Sequence, residues 1–542
     1  MSQLLTRFPH VQAHEFNASI RSRGVESKVP EPIPEPSREA WTKGMNPQQA
    51  AALGFPGRGA VLVLAGAGSG KTTVLTRRVA LLLERFPEAG ILALTFTKDA
   101  AEEMATRLRA LVGADASMVS FPTIGTFHAF AFGLIRSDSG GISNWARLGF
   151  ASCPSLLEPA EAASWLKAAK RGLEPDVSQE QLQEWLESPF TMETEASGPN
   201  EAPARGAETR RADVREEFRR YLQASGRIAF GDMVALALRL LSEHPQVLAQ
   251  ARTRYRHILV DEFQDTSRDQ LELVKLLAGS EPSLFLVGDD DQAIYGFRGA
   301  DPGNIDAALG HFPGMGIIKL ETNYRSSAAI VAYANAVFRD KAEGLRKRLE
   351  AGRSLGSAPV KIAAHRNGAG QAAWMVSEMR RLRREEGLAW KDMAVLFRLN
   401  ILKPYYRSML ARLAGEDAAR DVILSTVHAS KGLEYPAVFF AGLEDGILPY
   451  RRGKEPLAPE RLAEERRIFY VGVTRAQRFL YLCSCRRRVL RGKTVEAEAS
   501  PFLRAGATGP GSRWFGGARA LARGAGGLWD AFRAFRGKKG EP

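Results

Sequence analysis

The sequence predicts an α/β protein made of two units, each a parallel sheet covered by helices, with a helical insertion in the first. Three observations carry that expectation. Short apolar runs ending in polar residues, AVLVLA (60–65), ILALTF (91–96), HILVDEF (257–263) and LFLVGD (284–289), alternate with segments of helical period such as DAAEEMATRLRALV and DQLELVKLLA. Strands apolar on both faces belong to sheets buried under helical crossovers. The pattern resumes from about Ile317 with KIAAH, MAVLFRL, VILSTVH, AVFFAGL and FLYLCS. Finally, 542 residues exceed one ordinary domain, at about 150 residues per domain.

Taken in order, residues 1–44 include VPEPIPEPS, an extended Pro/Glu stretch that reads as a tether. The first α/β unit occupies 45–137 and resumes at 224–312. Between them, 138–223 has helical period in EAASWLKAAKRGL and SQEQLQEWLES, and it contains the polar stretch ETEASGPNEAPARGAETR. The second unit spans 313–504, and 505–542 form a tail rich in Gly, Ala and Arg. Residues 486–542 hold 13 basic against 4 acidic side chains, most of the formal charge of +14. Such a surplus suits a polyanionic partner, nucleic acid or an anionic surface, and equally a soluble enzyme with one basic face. The tail reads equally as a binding segment or as a solubilising end.

Three cysteines, Cys153, Cys483 and Cys485, make neither a disulfide framework nor a four-thiolate metal site. No apolar run reaches the roughly 20 residues that span a bilayer, and the first residues have no signal-peptide core. A cytoplasmic protein without membrane partners is expected.

The strongest chemical signal is Ala65, Gly66, Ala67, Gly68, Ser69, Gly70, Lys71 and Thr72, directly between an apolar strand and a helix. Glycines let backbone N–H groups wrap phosphate oxygens, and the helix N-terminus favours negative charge. Lys71 then reaches the β- and γ-phosphates of ATP, while the Thr72 hydroxyl ligates Mg²⁺. A ligand-free Gly-rich turn is the structural alternative. After HILV come Asp261 and Glu262. Asp261 suits the metal shell and Glu262 suits polarising the attacking water.

With these residues in place the chain resembles superfamily 1 DNA helicases of the UvrD/Rep/PcrA type, from Met45 to about Leu503 and in motif order. The resemblance implies two RecA-like P-loop NTPase domains, a DNA-dependent ATPase and single-stranded DNA or strand junctions as partner. It also implies 3′-to-5′ movement. In MNPQQ, Gln49 stands where the family reads adenine. Thr95 and Phe96 in ALTFTKDAAEEM, and Thr126 and His128 in GTFHAF, stand at strand-contacting positions. In GDDDQAIYGFRGAD the resemblance assigns Gln292 to sensing the γ-phosphate, and Tyr295, Phe297 and Arg298 to bases and backbone. NYRS offers Tyr324 to the adenine and Arg325 to the γ-phosphate. TVHASKGLE offers Thr426 and His428 to DNA and Glu434 to the ribose, and EERRIFYVGVTRA offers Arg475 as second arginine finger. Phe96, Tyr295 and Phe297 also suit a core, and both histidines suit structural roles.

Two departures matter. The large insertion that relatives carry after the strand resembling MAVLFRLN is reduced to a short linker near 411–421, which bears on duplex unwinding rather than hydrolysis. Thr73 stands where relatives often have Arg, with Arg77 or Arg78 as candidates to compensate. No acidic nuclease-like cluster follows the last motif. The alternative function is an ATP-switched DNA-binding subunit of a repair, replication or defence complex, in which a partner such as a nuclease acts on the nucleic acid.

Overall fold

The computed structural model describes residues 41–112, 121–172, 178, 205–341, 345–356, 358–451, 453, 455–504 and 512–516. Residues 1–40 of the expected tether, the stretch at 179–204 and most of the tail lie outside them.

The first sheet contains β1 (Gly59–Ala65), β2 (Ile91–Thr95), β3 (Thr123–Thr126), β4 (His257–Val260), β5 (Ser283–Gly288) and β6 (Gly316–Leu320). All pair in parallel, in the order β6-β1-β5-β4-β2-β3. Period-2 alternation divides β1 between two cores: Leu62 and Leu64 join one face, Val61, Val63 and Ala65 the other. Helices α1 (Pro47–Leu53), α2 (Lys71–Arg85), α3 (Lys98–Val112) and α4 (Phe127–Arg136) surround this sheet. Asn46 caps α1 reciprocally with Gln49, a capping box.

The first unit extends past the expected boundary at 313, because β6 lies against β1 with Val61 opposite Gly316. Its half-exposed edge position leaves β6 without the continuous apolar signature of a central strand, so the sequence assigned it to the next unit. The insertion is also not purely helical. Besides α5 (Pro159–Gly172) and α6 (Arg205–Ser225) it holds the pairs Asp138–Ser139 with Ile142–Ser143 and Ser155–Leu156 with Arg227–Ile228. Its closing strand therefore lies beyond 223.

The second sheet contains β7 (Val360–Asn367), β8 (Met393–Phe397), β9 (Ile423–Thr426), β10 (Tyr435–Ala441), β11 (Ala476–Leu490), β12 (Lys493–Glu496) and β13 (Ser512–Gly516). The order β9-β8-β10-β11-β7-β13 is parallel throughout, and β12 folds back antiparallel on β11. The reading of everything after 504 as tail is thus corrected, since β13 extends the sheet along β7. Its five residues, set among Gly and Arg, have no apolar periodicity to announce a strand. Helices α7 (Ala328–Val337), α8 (Lys403–Ala414), α9 (Glu416–Asp421) and α10 (Pro459–Val473) belong to this unit. At the expected short linker, α8 gives way to α9 through Gly415 alone (φ +97°, ψ 167°), and β9 follows. No helix among the described residues is long and apolar enough to cross a membrane.

Candidate nucleotide and strand-binding site

The phosphate loop leaves β1 at Ala65 and enters α2 at Lys71. Gly68 (φ +67°) and Gly70 (φ +81°) adopt a backbone that L side chains rarely take. Space is tight as well, most firmly at Gly68, where the opposing atom is a Cβ rather than the end of a movable side chain. A Cβ at Gly66 would lie 2.2 Å from Leu349 Cδ2, one at Gly68 2.6 Å from Arg325 Cβ, and one at Gly70 2.8 Å from Gln49 Nε2. Ser69 Oγ is buried without a protein partner. A cradle that a Cβ would fill, with an unpartnered hydroxyl inside it, fits a phosphate-bearing ligand.

The acidic side of the site follows β4. Glu262 takes a left-handed backbone (φ +49°), and its carboxylate lies 3.1 Å from Lys71 Nζ. Asp261 Oδ1 accepts the Glu262 N–H at 2.9 Å. Burial, then the neighbouring Glu262 charge, pushes Asp261 up to about 7. Burial acts on Glu262 in the same direction, but Lys71 and Lys431 overcome it and hold that carboxyl down to about 2. The two adjacent acids are therefore driven apart, a pattern associated with distinct roles. Asp261 and the Thr72 hydroxyl, at the start of α2, are the groups suited to a hard divalent cation.

The second unit closes the site. Tyr324 N–H donates to Gly68 O at 2.8 Å, and Asn323 Nδ2 donates to Ala67 O at 2.7 Å. Arg325 Nε lies 2.5 Å from Glu434 Oε2, whose other oxygen accepts from Gln477 at 2.9 Å. The Tyr324 hydroxyl accepts from Asn46 Nδ2 at 2.9 Å, and Gln49 Nε2 donates to Ser69 O at 2.9 Å, so Gln49 sits on the loop itself. Arg475 is 1% exposed and donates to Gln292 Oε1 at 3.1 Å, to Leu433 O at 3.0 Å and to Val471 O at 3.0 Å. Burial, then the charge of Arg325, pulls its guanidinium down to about 9.

Lys431, which the sequence reading did not single out, donates to Asp265 Oδ2 at 2.5 Å and to Gln292 O at 2.8 Å. Its place inside TVHASKGLE was the available signal. Neither candidate compensates for exposed Thr73. Arg77 donates to the carbonyls of Trp41 and Lys43, and buried Arg78 to those of Leu53, Phe55 and Pro56.

An aromatic track crosses from one unit to the other. Phe96 stacks on Tyr295 with centroids 5.2 Å apart, and Phe297, 60% exposed, meets His428 edge-on at 5.4 Å. The Tyr295 hydroxyl donates to His428 O at 3.2 Å, and the Arg298 guanidinium lies 5.3 Å from the Tyr295 ring centroid. His128 stacks on Phe230 at 4.1 Å. Phe230 is 59% exposed and was missed, because one Phe in IAFGDM carries no mark that separates an exposed ring from a core one.

The polar nominees fare differently. Thr95 is fully buried, its hydroxyl unpartnered, because it ends a strand flanked by β3 and β4; it is not at the surface where a strand would touch it. The Thr126 and Thr426 hydroxyls accept from the N–H groups of Ala129 (3.1 Å) and Ala429 (3.3 Å), so both fix local turns.

Comparisons with known proteins agree with this geometry. Residues 45–313 match the UvrD/REP helicase N-terminal domain, and 318–404 with 408–487 match the UvrD-like helicase C-terminal domain. A probable DNA helicase of Mycoplasma pneumoniae is 32% identical over 454 residues, covering 81% of this chain and 83% of its own. The ATP-dependent DNA helicases PcrA of Staphylococcus epidermidis and Leuconostoc citreum are 32% and 33% identical, each over 67% of this chain. The chain spans 49% and 48% of those two relatives, about half their length.

Proposed function

This chain belongs to the UvrD/Rep helicase family, and on that premise we propose that it is an ATP-driven motor on single-stranded DNA, moving 3′ to 5′. The observation that carries the reading is the contact of Arg475, from the second unit, with Gln292 of the first at 3.1 Å. Groups suited to opposite sides of a γ-phosphate thereby share one cleft. The loop 65–72 binds the triphosphate, and Thr72 with Asp261 hold Mg²⁺, which when bound neutralises charge on the phosphate oxygens. Glu262, kept ionised by Lys71 and Lys431, orients and polarises the attacking water.

Arg325 and Arg475 oppose the charge that develops on the transferred phosphoryl group. Because they come from the second unit, they act only when the units close. Arginine fingers contribute about 10³–10⁵ in rate, which makes hydrolysis conditional on closure. The aromatic track spans the same two units, so closure shortens or lengthens the grip on the strand. Stacking of about 1–3 kcal/mol per base is tolerant of sequence, as a motor requires.

The test is ATP hydrolysis with and without oligo-dT at low salt, beside Glu262→Gln. Low salt preserves phosphate contacts. Stimulation that disappears in the variant is expected. Hydrolysis indifferent to oligo-dT would sink the strand-coupled motor and favour a nucleotide-switched binding subunit.

A further inference from the structure

Lys347 belongs to none of the motifs singled out in the sequence, yet its side chain is only 1% exposed and lies among three consecutive carboxylates. Its Nζ is 2.9 Å from Asp289 Oδ1 and 3.1 Å from Asp291 Oδ2, and it is bonded to Asp290 as well. Lys341 also pairs with Asp290 and Asp291. The carboxylates lie close enough together to hold a metal ion, but the ammonium groups already supply the cations there.

The cluster is wired to the reaction centre. Asp289 is fully buried, and its second oxygen accepts from Gln292 Nε2 at 2.6 Å. The carbonyl end of that same amide accepts from Arg475 at 3.1 Å. Gln292 is thus held at both ends, nitrogen toward a carboxylate and oxygen toward a guanidinium. Lys347 holds Asp289 in that place from its other oxygen, and a fully buried carboxylate needs such a paired charge.

The position of Lys347 is itself fixed by a strap, residues 346–350, laid between the two units. Leu349 exchanges hydrogen bonds with Asn335 of α7 at 2.8 and 2.9 Å, and its side chain covers Gly66 of the phosphate loop. Lys319 Nζ donates to Arg346 O at 2.8 Å, and Arg348 N–H donates to Glu321 Oε1 at 2.7 Å, tying the strap to β6 and its end.

We propose that Lys347 is a positioning residue for ATP hydrolysis, which through Asp289 orients the side-chain amide of Gln292 against Arg475. The proposal rests on the hydrolytic reading of the cleft. It implies that the strap conveys the arrangement of the second unit to the γ-phosphate side of the first. Losing the ammonium leaves Asp289 Oδ1 without its Lys347 partner, so the carboxylate is free to turn and Gln292 loses the acceptor that fixes it.

The experiment is a double-mutant cycle in steady-state hydrolysis with saturating oligo-dT. Parent, Lys347→Met, Gln292→Ala and the double variant are all carried in an Asp290→Asn background, which lessens the buried charge imbalance. Lys347→Met should lower kcat at least about tenfold while KM for ATP stays within about threefold, the mark of an interaction expressed in the transition state. Added to Gln292→Ala, it should cost no more than about a further twofold, because both changes remove one unit. Lys347→Arg keeps the charge and should recover part of the lost kcat. If the methionine variant does not fold, the arginine variant enters the same cycle, with the same non-additivity expected. Losses that multiply, or a raised KM at unchanged kcat, would overturn the proposal alone. A parent inactive with oligo-dT would overturn the hydrolytic reading beneath it.

Discussion

At the scale of single residues, burial and neighbouring charge decide what each titratable group can do. His257 is 6% exposed in β4, with Nδ1 2.6 Å from Ser283 Oγ. Burial, then the charges of Arg78 and Arg256, holds it down to about 4 from an ordinary 6.5. The native state therefore refuses a proton that the unfolded chain accepts between these values, so its contribution is complete above 6.5 and lost as pH falls toward 4. The loss should be about 1–2 kcal/mol at pH 5. Urea titrations at pH 5 and 7.5 should show a smaller difference for His257→Gln than for the parent; equal differences would remove His257 from the cause. The same logic applies at His428, where burial, then Arg398, Arg298 and Lys431, hold the imidazole at about 4. At pH 7 it is a neutral ring, which would suit stacking beside Phe297 rather than pairing with phosphate.

At the scale of elements, legibility in the sequence followed burial. Central strands such as β1, β2, β8 and β10 are apolar on both faces and announce themselves. β6 and β13, at the ends of their sheets among the described residues, do not: β6 is only partly buried over most of its length, and the five residues of β13 form no apolar run. The phosphate loop, Asp261 and Glu262 were legible because their chemistry needs fixed residues at fixed spacing. Lys347 and Phe230 were not, because each depends on what the fold brings beside it, three aspartates in one case and the His128 ring in the other. The shortened connection was legible as well, and Gly415 makes it physically possible. Its N–H donates to Ala411 O at 3.0 Å and its carbonyl accepts from Ala419 at 3.2 Å, so one residue ends α8 and starts α9. With φ +97° and ψ 167° it occupies a region essentially reserved for glycine. Gly415→Val should cost about 1–3 kcal/mol of stability. It precedes the start of β9, whereas Thr426 and His428 lie at and beyond that strand's far end. Strand-stimulated kcat should therefore stay within about twofold of the parent. A large fall in kcat with stability intact would mean that this turn communicates with the cleft.

At the scale of the whole molecule, the proposed motor raises the question of which tasks the two units can perform with so short a connection between β8 and β9. Translocation needs a nucleotide cleft between the units and a grip that alternates with closure, and the chain has residues suited to both. Separating a duplex needs more. Each base-pair step resists opening with a stacking energy of about 1.4 kcal/mol on average, so the junction must be held against the advancing protein while the strands part. Between β8 and β9 there are only α8, Gly415 and α9, apart from a short turn before α8, so this connection provides no separate body to grip the duplex. Movement and unwinding should then part company. In single-turnover reactions, streptavidin on the 5′ end of a single strand should be displaced rapidly, and streptavidin on the 3′ end should not. A duplex of about 20 base pairs with a 3′ tail, a span over which rejoining competes with opening, should be unwound far more slowly than the strand is traversed. Rapid unwinding by a monomer would show that the first unit, with its insertion, suffices to hold the junction. Faster displacement from the 3′ end would reverse the polarity.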